Sequence, residues 1–140
     1  MKRSKLNKVG KSSISKLKKK LWKEFSEYIR NRDKNICFIC GKYATGSGYH
    51  AGHFISKAIG GVELYFHEDN VHGCCYNCNI NLGGNLYLYG KKLGEEKCNE
   101  LYQIKNKINK WSEIDYINKI NYYKELNETK TRNTRKNKTN

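Results

Sequence analysis

Large apolar residues recur with helical spacing in the first part of the chain. Four of them fall at i, i+4, i+8 and i+11, and two more widen the stripe: Leu17, Leu21, Phe25 and Tyr28, with Trp22 and Ile29. This spacing predicts an amphipathic helix from Ser15 to the polar run 31–35. Residues 1–14 are basic and lack the pattern, so we expect a flexible basic arm there.

The middle of the chain loses helical spacing. Between residues 36 and 72, glycines are frequent and β-forming side chains alternate irregularly with polar turns. This pattern predicts short strands and loops. A short helix is expected to begin near Cys75 and to end at Gly83-Gly84.

Two further helical stripes follow. The first contains Cys98, Leu101, Ile104 and Ile108, and we expect Cys98 to be a core residue. Ser112 and Asp115 form a predicted capping box that opens the next helix, whose apolar stripe is Ile114, Ile117 and Ile120.

The last residues, from Thr129, contain five cationic and no apolar side chains. We therefore expect a basic disordered tail over 128–140. Since 140 residues leave no room for two full domains, residues 15–127 are predicted to form one domain.

The net charge of +15 changes this picture, because it exceeds what solubility requires and indicates a polyanionic partner. The basic segments lack the exposed apolar face of an interfacial membrane helix, so nucleic acid is favoured over a membrane surface. The N-terminal residues lack the apolar stretch and the small-residue cleavage site of a secretory signal, so we expect no secretory leader, and no apolar run is long enough to span a bilayer. We therefore expect a cytoplasmic protein.

Four of the six cysteines form two C-x-x-C pairs separated by 34 residues, Cys37-Phe-Ile-Cys40 and Cys75-Tyr-Asn-Cys78. Two such pairs can complete a tetrahedral thiolate site, which suits structural Zn²⁺, and Gly41 can adopt the positive φ of a zinc knuckle. The alternative is a group of buried thiols. Cys74 leaves the register open, because it could replace Cys75.

The residues between and after these pairs resemble the HNH nucleases. The order is His53 in Ala-Gly-His-Phe, Asn70 in Glu-Asp-Asn-Val-His, then the second pair followed directly by Asn79. With Gly-Gly-Asn-Leu-Tyr, these segments resemble more narrowly the NinG (Rap) recombination proteins of lambdoid phages. In the HNH pattern the middle Asn lies five residues before the second pair, which favours Cys75 over Cys74.

The resemblance implies an α+β fold, with a zinc-containing ββα-metal core between an N-terminal helix and two or three C-terminal helices. It also implies that His53 is the general base, that Asn70 holds the His53 region by hydrogen bonds, and that Asn79 gives an oxygen to a catalytic Mg²⁺ or Mn²⁺ ion. A neutral imidazole suits the first role, because its pKa lies near neutrality.

The chain departs from the HNH pattern at Gly52, where many members have a metal-binding Asp or His. His50 is the candidate to replace that ligand, since positions 50 and 52 of a strand share a face. His72 is the second candidate, or else supports the site from outside it. His67 is expected to be an ordinary loop residue.

The function implied is metal-dependent hydrolysis of DNA that leaves 5′-phosphate and 3′-hydroxyl ends. The resemblance points to branched DNA such as Holliday junctions and D-loops, and to recombination proteins as partners. Paired cuts would need two active sites, which a homodimer would supply. The alternatives are a non-catalytic zinc module that binds nucleic acid and a sequence-specific homing or restriction nuclease.

Overall fold

The computed structural model describes residues 2–107 and 109–138, with side-chain surroundings for 13–107 and 109–138. These residues form a mixed α+β structure, as predicted. The elements are α1 (Lys2–Arg32), β1 (Tyr49–His53), α2 (Lys57–Tyr65), β2 (Val71–Cys75), α3 (Leu86–Leu93), α4 (Glu95–Lys105) and α5 (Glu113–Lys138). Gly46–Gly48 form a 3₁₀ turn, and Asn77–Asn81 form a π-helical turn. No helix among the described residues is both long and apolar enough to cross a membrane.

The chain divides into two compact units. The central unit comprises residues 29–110, and the terminal unit combines residues 1–28 with 111–140. In the central unit, β1 and β2 pair antiparallel, from Tyr49 opposite Cys75 to His53 opposite Val71. Helix α2 is inserted between the two strands, and the π-helical turn follows β2 directly. This strand–strand–helical-turn order is the predicted ββα arrangement.

Two apolar clusters stabilise the central unit. The first surrounds the cysteines and includes Ile39 and the fully buried Tyr89. The second joins the segment after β1 to α2 and α4 through Ile55, Leu64 and Leu101. Both clusters lie next to the hairpin, so the packing of the core fixes the position of the strand ends.

In the terminal unit, the predicted α1 stripe is confirmed, because Leu21 and Phe25 are fully buried. The Phe25 ring packs edge-on against Tyr123 of α5 at 5.1 Å. The capping box is also confirmed: Ser112 N donates to the Asp115 carboxylate at 2.8 Å, and Asp115 N donates to the Ser112 hydroxyl at 3.3 Å.

The predicted apolar stripe of α5 is wrong. Ile114 and Ile117 are exposed, whereas Tyr116, Tyr123 and Asn127 form the buried face. Asn127 can be buried because its amide donates to the Glu24 backbone carbonyl at 2.9 Å and to the Glu24 carboxylate at 3.0 Å. The aliphatic residues alone therefore gave the wrong face, because tyrosines and one satisfied amide make the contact.

Helices α2 and α3 were not predicted. In α2, Gly60 and Gly61 weaken the helical pattern, and Gly61 has a non-helical conformation (φ 75°, ψ 178°) that kinks it. The helix nevertheless forms because Leu64 is buried against Ile55 and Leu101. Cys75, where we expected a helix to begin, ends β2 instead, and the helical turn starts at Asn77.

The structure is helical across both boundaries that we placed at residues 14 and 128. Helix α1 extends from Lys2, and α5 continues to Lys138. In α5, Thr129, Thr131 and Thr134 each donate to the carbonyl four residues earlier, and neither proline nor glycine interrupts the helix. The side chains of the predicted arm up to residue 12, Ile108 of the predicted stripe and residues 139–140 of the predicted tail lie outside the described residues.

Candidate metal centre and active site

The four cysteines predicted as metal ligands converge at one point. The sulfur atoms of Cys37, Cys40, Cys75 and Cys78 all lie within 4.8 Å of one another, and the Cys40 and Cys75 sulfurs are 3.8 Å apart. A tetrahedral ion with metal–sulfur bonds of about 2.3 Å requires sulfur–sulfur separations of about 3.8 Å. The cluster can therefore hold a structural metal ion such as zinc.

Two backbone turns present these cysteines. In the first turn, Cys37 N donates to Lys42 O at 2.8 Å and Gly41 N donates to Cys37 O at 2.9 Å. Gly41 has φ +77°, the positive value expected of a zinc knuckle. The first turn is docked on β2, because Phe38 N donates to Gly73 O at 2.8 Å. In the second turn, Cys78 N donates to the Cys75 sulfur at 3.4 Å.

The backbone around the cluster favours thiolate at one position. Burial opposes ionisation of Cys37, but N–H groups of Cys40, Cys75 and Ile39 outweigh it and lower the pKa of Cys37 to about 7. Burial raises the pKa of Cys78 to about 12, although the Asn85 side chain acts in the opposite direction. A bound cation would favour thiolate at all four positions, so metal binding would release protons.

Cys74 does not join the cluster. Its sulfur donates to His72 O at 3.3 Å, on the opposite face of β2 from Cys75. Burial raises the pKa of Cys74 well above its usual range, as expected of an inert core thiol. The structure thus brings Cys75, and not Cys74, together with the other three cysteines of the cluster. Cys98 lies half-buried on α4, where its sulfur donates to Gly90 O at 3.5 Å.

His53, the predicted base, is the last residue of β1 and is mostly buried. Its Nε2 lies 2.9 Å from Tyr65 O, a backbone carbonyl of α2. A carbonyl can only accept, so Nε2 carries the hydrogen and Nδ1 carries the lone pair of the neutral ring. Burial lowers the pKa of His53 to about 4, and Lys57 adds to that effect. The ring is therefore neutral at pH 7, the state in which it can accept a proton.

Asn70 is fully buried between β1 and α2. Its Oδ1 accepts from Ile55 N at 2.8 Å, and its Nδ2 donates to Ile55 O at 3.0 Å and to Leu64 O at 2.9 Å. Its own carbonyl accepts from Phe54 N at 2.9 Å. Phe54 and Ile55 directly follow His53, and Leu64 directly precedes Tyr65. Asn70 therefore fixes the backbone at both ends of the His53–Tyr65 contact.

Asn79 and His50 are in direct contact. Asn79 lies in the π-helical turn, and its Nδ2 is 2.9 Å from His50 Nδ1. The other His50 nitrogen, Nε2, lies 2.8 Å from Ser47 O and must therefore donate to it. An amide and an imidazole nitrogen lie side by side here, and both are groups that can bind a divalent ion.

The structure explains why position 52 is glycine. A Cβ there would lie 2.9 Å from the Cys74 sulfur and 3.0 Å from Asn79 Oδ1. The Cys74 and Asn79 side chains thus occupy the space that a ligand at position 52 would need. His50 faces the same side of β1 as Gly52, whereas strand alternation directs His53 to the other side.

His72 belongs to a network that the sequence did not reveal. Tyr89 of α3 donates its hydroxyl hydrogen to Gly52 O at 2.8 Å, so it accepts from His72 Nδ1 at 3.0 Å. The His72 ring is also stacked on Phe38 at 3.9 Å. Burial lowers the pKa of His72 to about 4. Tyr89 therefore connects α3 to both strands, although its neighbours Leu86, Tyr87 and Leu88 are exposed.

An ion pair at the C-terminal end of α1 also holds the hairpin in place, through hydrogen bonds to backbone groups of β2 and of the residues before it. Arg32 contacts Asp33 through two hydrogen bonds and donates to Glu68 O and Val71 O, both at 2.9 Å. Asp33 accepts from Gly73 N at 2.7 Å. Although burial opposes it, hydrogen bonding to Arg32 and Gly73 lowers the pKa of Asp33. Sequence reasoning treated this segment only as a polar helix end.

His67, which we expected to be an ordinary loop residue, lies in a loop, and its Nδ1 accepts from Asp69 N at 3.1 Å.

The four-cysteine cluster is the one group of three or more His, Cys, Asp or Glu ligands found in the described part of the chain. His50 and Asn79 lie outside this cluster and offer between them one imidazole nitrogen and one amide group.

Comparison with known proteins identifies relatives of one kind. The family described as Bacteriophage Lambda NinG protein matches residues 1–136. Protein ninG of Escherichia phage lambda is 32% identical over 90 residues, which cover 61% of this chain and 43% of that protein. Protein ninG of Salmonella phage P22 is 38% identical over 63 residues, which cover 44% and 30%. The matched region spans less than half the length of either relative, and no solved structure matches the chain.

Proposed function

The chain belongs to the NinG family of bacteriophage proteins, and from this premise we propose that it is a metal-dependent DNA endonuclease that cuts branched DNA during phage recombination. One observation carries the proposal. β1 carries a neutral His53 at its last position on one face, and on the other face the His50–Asn79 pair, with Asn79 next to Gly52. The proposal requires a phosphodiester that lies across β1 and contacts both groups.

The proposed chemistry begins with a proton transfer to His53. Its Nδ1 accepts a proton from water while Nε2–H remains bonded to Tyr65 O. The water oxygen bonds to phosphorus as the bond to the 3′-oxygen breaks, and the departing oxygen takes a proton from solvent. A divalent ion held by Asn79 and His50 would neutralise the phosphate and stabilise the leaving oxygen. His72 is the alternative ligand to His50. Each ring would have to give up a hydrogen bond at Nδ1 to bind the ion, His50 the one to the Asn79 amide and His72 the one to Tyr89.

Asn70 is a positioning residue in this proposal. It touches neither water nor phosphate, but it fixes the backbone on both sides of the His53–Tyr65 contact. A proton acceptor must lie within hydrogen-bond reach of the water that it activates. A variant of Asn70 that displaces the His53 ring would therefore lose activity without losing DNA affinity.

The experiment that tests the proposal compares a labelled four-way junction with a linear duplex of the same sequence. Zinc-loaded protein is incubated with each DNA in Mg²⁺, in Mn²⁺ and in buffer without either ion. Chelators are avoided, because they would also remove zinc from the cysteines. We expect ion-dependent cutting that is faster on the junction and that leaves 5′-phosphate ends. Junction binding without cutting in either ion would contradict the proposal.

A non-catalytic zinc module that binds nucleic acid is the second candidate. It is favoured by the absence, within the described residues, of a second cluster of three His, Cys, Asp or Glu ligands. This candidate predicts equal junction affinity for the parent protein and for His53→Ala, with no cutting by either. Cutting at one defined duplex sequence would instead indicate a homing or restriction nuclease.

A further inference from the structure

Six large apolar side chains are exposed within a short segment that begins inside the second cysteine pair. They are Tyr76, Ile80, Leu82, Leu86, Tyr87 and Leu88, which we call the 76–88 apolar segment. Tyr87 is 73% exposed and Leu86 is 50% exposed. So many exposed large apolar side chains within 13 residues are unusual for a protein surface that has no partner, because exposed apolar surface is often an interaction site.

The backbone beneath these side chains is held in place. Gly83, Gly84 and Asn85 all have positive φ, which forms a tight turn between the π-helical turn and α3. Gly84 N donates to Cys78 O at 3.0 Å, and Asn85 N donates to Leu82 O at 2.9 Å. The Asn85 side chain also donates to the Cys78 sulfur at 3.7 Å. The turn is thus anchored to the cysteine cluster, so its apolar side chains project from a fixed support.

Cationic groups border the segment. The Lys91 ammonium lies 4.6 Å from the centre of the Tyr87 ring, and Lys92 follows in the last turn of α3. An exposed aromatic face beside an ammonium group can stack on a base while the cation contacts a phosphate. A second copy of this chain would carry the same charge of +15 and be repelled, whereas DNA satisfies both the apolar and the cationic groups.

The segment also adjoins the candidate ion site. The Tyr76 ring is half-exposed and packs edge-on against the His50 ring at 5.8 Å, and Asn79 lies between Tyr76 and Ile80 in the chain. A nucleotide held at His50 and Asn79 would therefore have the exposed face of Tyr76 next to it.

We infer that the 76–88 apolar segment binds unstacked bases at a DNA branch point, next to the phosphodiester that is cut. The inference rests on the proposed function for the identity of the polyanion. Apolar side chains inserted at a base step partly unstack it, and a branch point already offers bases with incomplete stacking. Branched DNA would accordingly bind more tightly than duplex DNA of equal charge.

The test measures binding and base stacking rather than cutting. A four-way junction with 2-aminopurine at the branch point is titrated with zinc-loaded protein in the absence of Mg²⁺ and Mn²⁺. The variant Leu86→Ser/Tyr87→Ser removes two exposed side chains of the segment. The control Ile114→Ser/Tyr122→Ser removes an aliphatic and an aromatic side chain of comparable exposure from α5. Circular dichroism and zinc content establish that all proteins are folded.

We expect the parent and control proteins to raise 2-aminopurine fluorescence on the junction but not in the duplex. The Leu86→Ser/Tyr87→Ser variant should lose this signal and bind the junction at least about tenfold more weakly, with duplex affinity nearly unchanged. An unchanged signal in that variant, or an equal loss in both double variants, would overturn the inference. So would a loss of dimers in that variant with junction binding intact, because the segment would then be an interface between copies.

The result is separable from the proposed function. A parent protein that unstacks the branch point but never cuts would refute the endonuclease and leave the inference standing. If the parent cuts the junction and the Leu86→Ser/Tyr87→Ser variant unstacks the branch point as strongly as the parent does, the inference is refuted and the endonuclease stands.

Discussion

Asn70 is a buried amide whose two side-chain groups both have defined partners, and this makes its orientation testable. In Asn70→Asp, Oδ1 can still accept from Ile55 N, but the second oxygen faces the carbonyls of Ile55 and Leu64. We expect the free energy of unfolding to decrease by about 3 kcal/mol, because two buried carbonyls lose their donor. Urea unfolding of the zinc-loaded protein measures this.

The matched control is Asn121→Asp, the same chemical change at an exposed position of α5. It should alter the free energy of unfolding by less than about 0.5 kcal/mol. Equal effects at the two positions would contradict the assignment of Asn70 as the residue that holds α2 against β1.

The buried ring of His53 makes stability depend on pH. Its pKa is about 4 in the folded protein and about 6.5 in the unfolded chain. Between these values the unfolded chain binds a proton that the folded chain does not, so stability should fall as the pH decreases from 6.5 to 4. His53→Gln keeps a donor for Tyr65 O but does not titrate, so its urea midpoint should fall less steeply over this range.

The cysteines also bind protons at low pH, and this affects parent and variant alike. The difference between the two curves therefore isolates His53. Parallel curves for the two proteins would show that the ring is not buried in its neutral form.

At the scale of elements, the two cysteine turns and the hairpin are one structure, because Cys75 ends β2 and Phe38 N is bonded to Gly73 O. Structural zinc contributes roughly 10–16 kcal/mol in small zinc domains, more than many domains have as net stability. We expect one zinc per chain by elemental analysis, and loss of hairpin structure when a chelator removes it.

Adjacent residues of β2 provide the control for that claim. Cys75→Ser should abolish zinc binding, whereas Cys74→Ser should retain one zinc per chain because Cys74 faces away from the cluster. Loss of zinc in Cys74→Ser, with retention in Cys75→Ser, would reverse the assignment of the register.

Local patterns predicted the parts of the fold that local interactions determine. The α1 stripe, the Ser112–Asp115 capping box and the cysteine turns depend on spacing within a few residues, and the structure contains all three. Helix α2 and the buried face of α5 were missed because they depend on distant partners. Leu64 is buried by Leu101, and Asn127 is satisfied by Glu24.

In the candidate site too, the features that depend on local spacing were predicted and those that depend on distant residues were not. The shared face of His50 and Gly52 follows from strand alternation and was predicted. The contact of His53 with Tyr65 O and that of Tyr89 with Gly52 O were not, because each partner comes from a helix that the sequence did not reveal. The cause of glycine at position 52 also required the positions of Cys74 and Asn79.

At the scale of the whole molecule, the charge of +15 should dominate DNA affinity. Each phosphate that a lysine or arginine neutralises releases counterions, so affinity falls steeply with salt. If at least six phosphates are contacted, junction affinity should fall about a thousandfold between roughly 50 and 200 mM salt. Fluorescence anisotropy in the absence of Mg²⁺ and Mn²⁺ measures this, and an affinity that is nearly independent of salt would contradict it.

The central claim concerns the end of β1, where His53 is proposed to accept the proton of the attacking water. The most direct test is the single-turnover rate of junction cleavage by the parent protein, His53→Ala and the loop control His67→Ala, each at saturating protein. We predict a rate for His53→Ala that is lower by at least about a hundredfold with junction affinity retained, and a rate for His67→Ala within about twofold of the parent. Cleavage by His53→Ala at the parent rate would contradict the account.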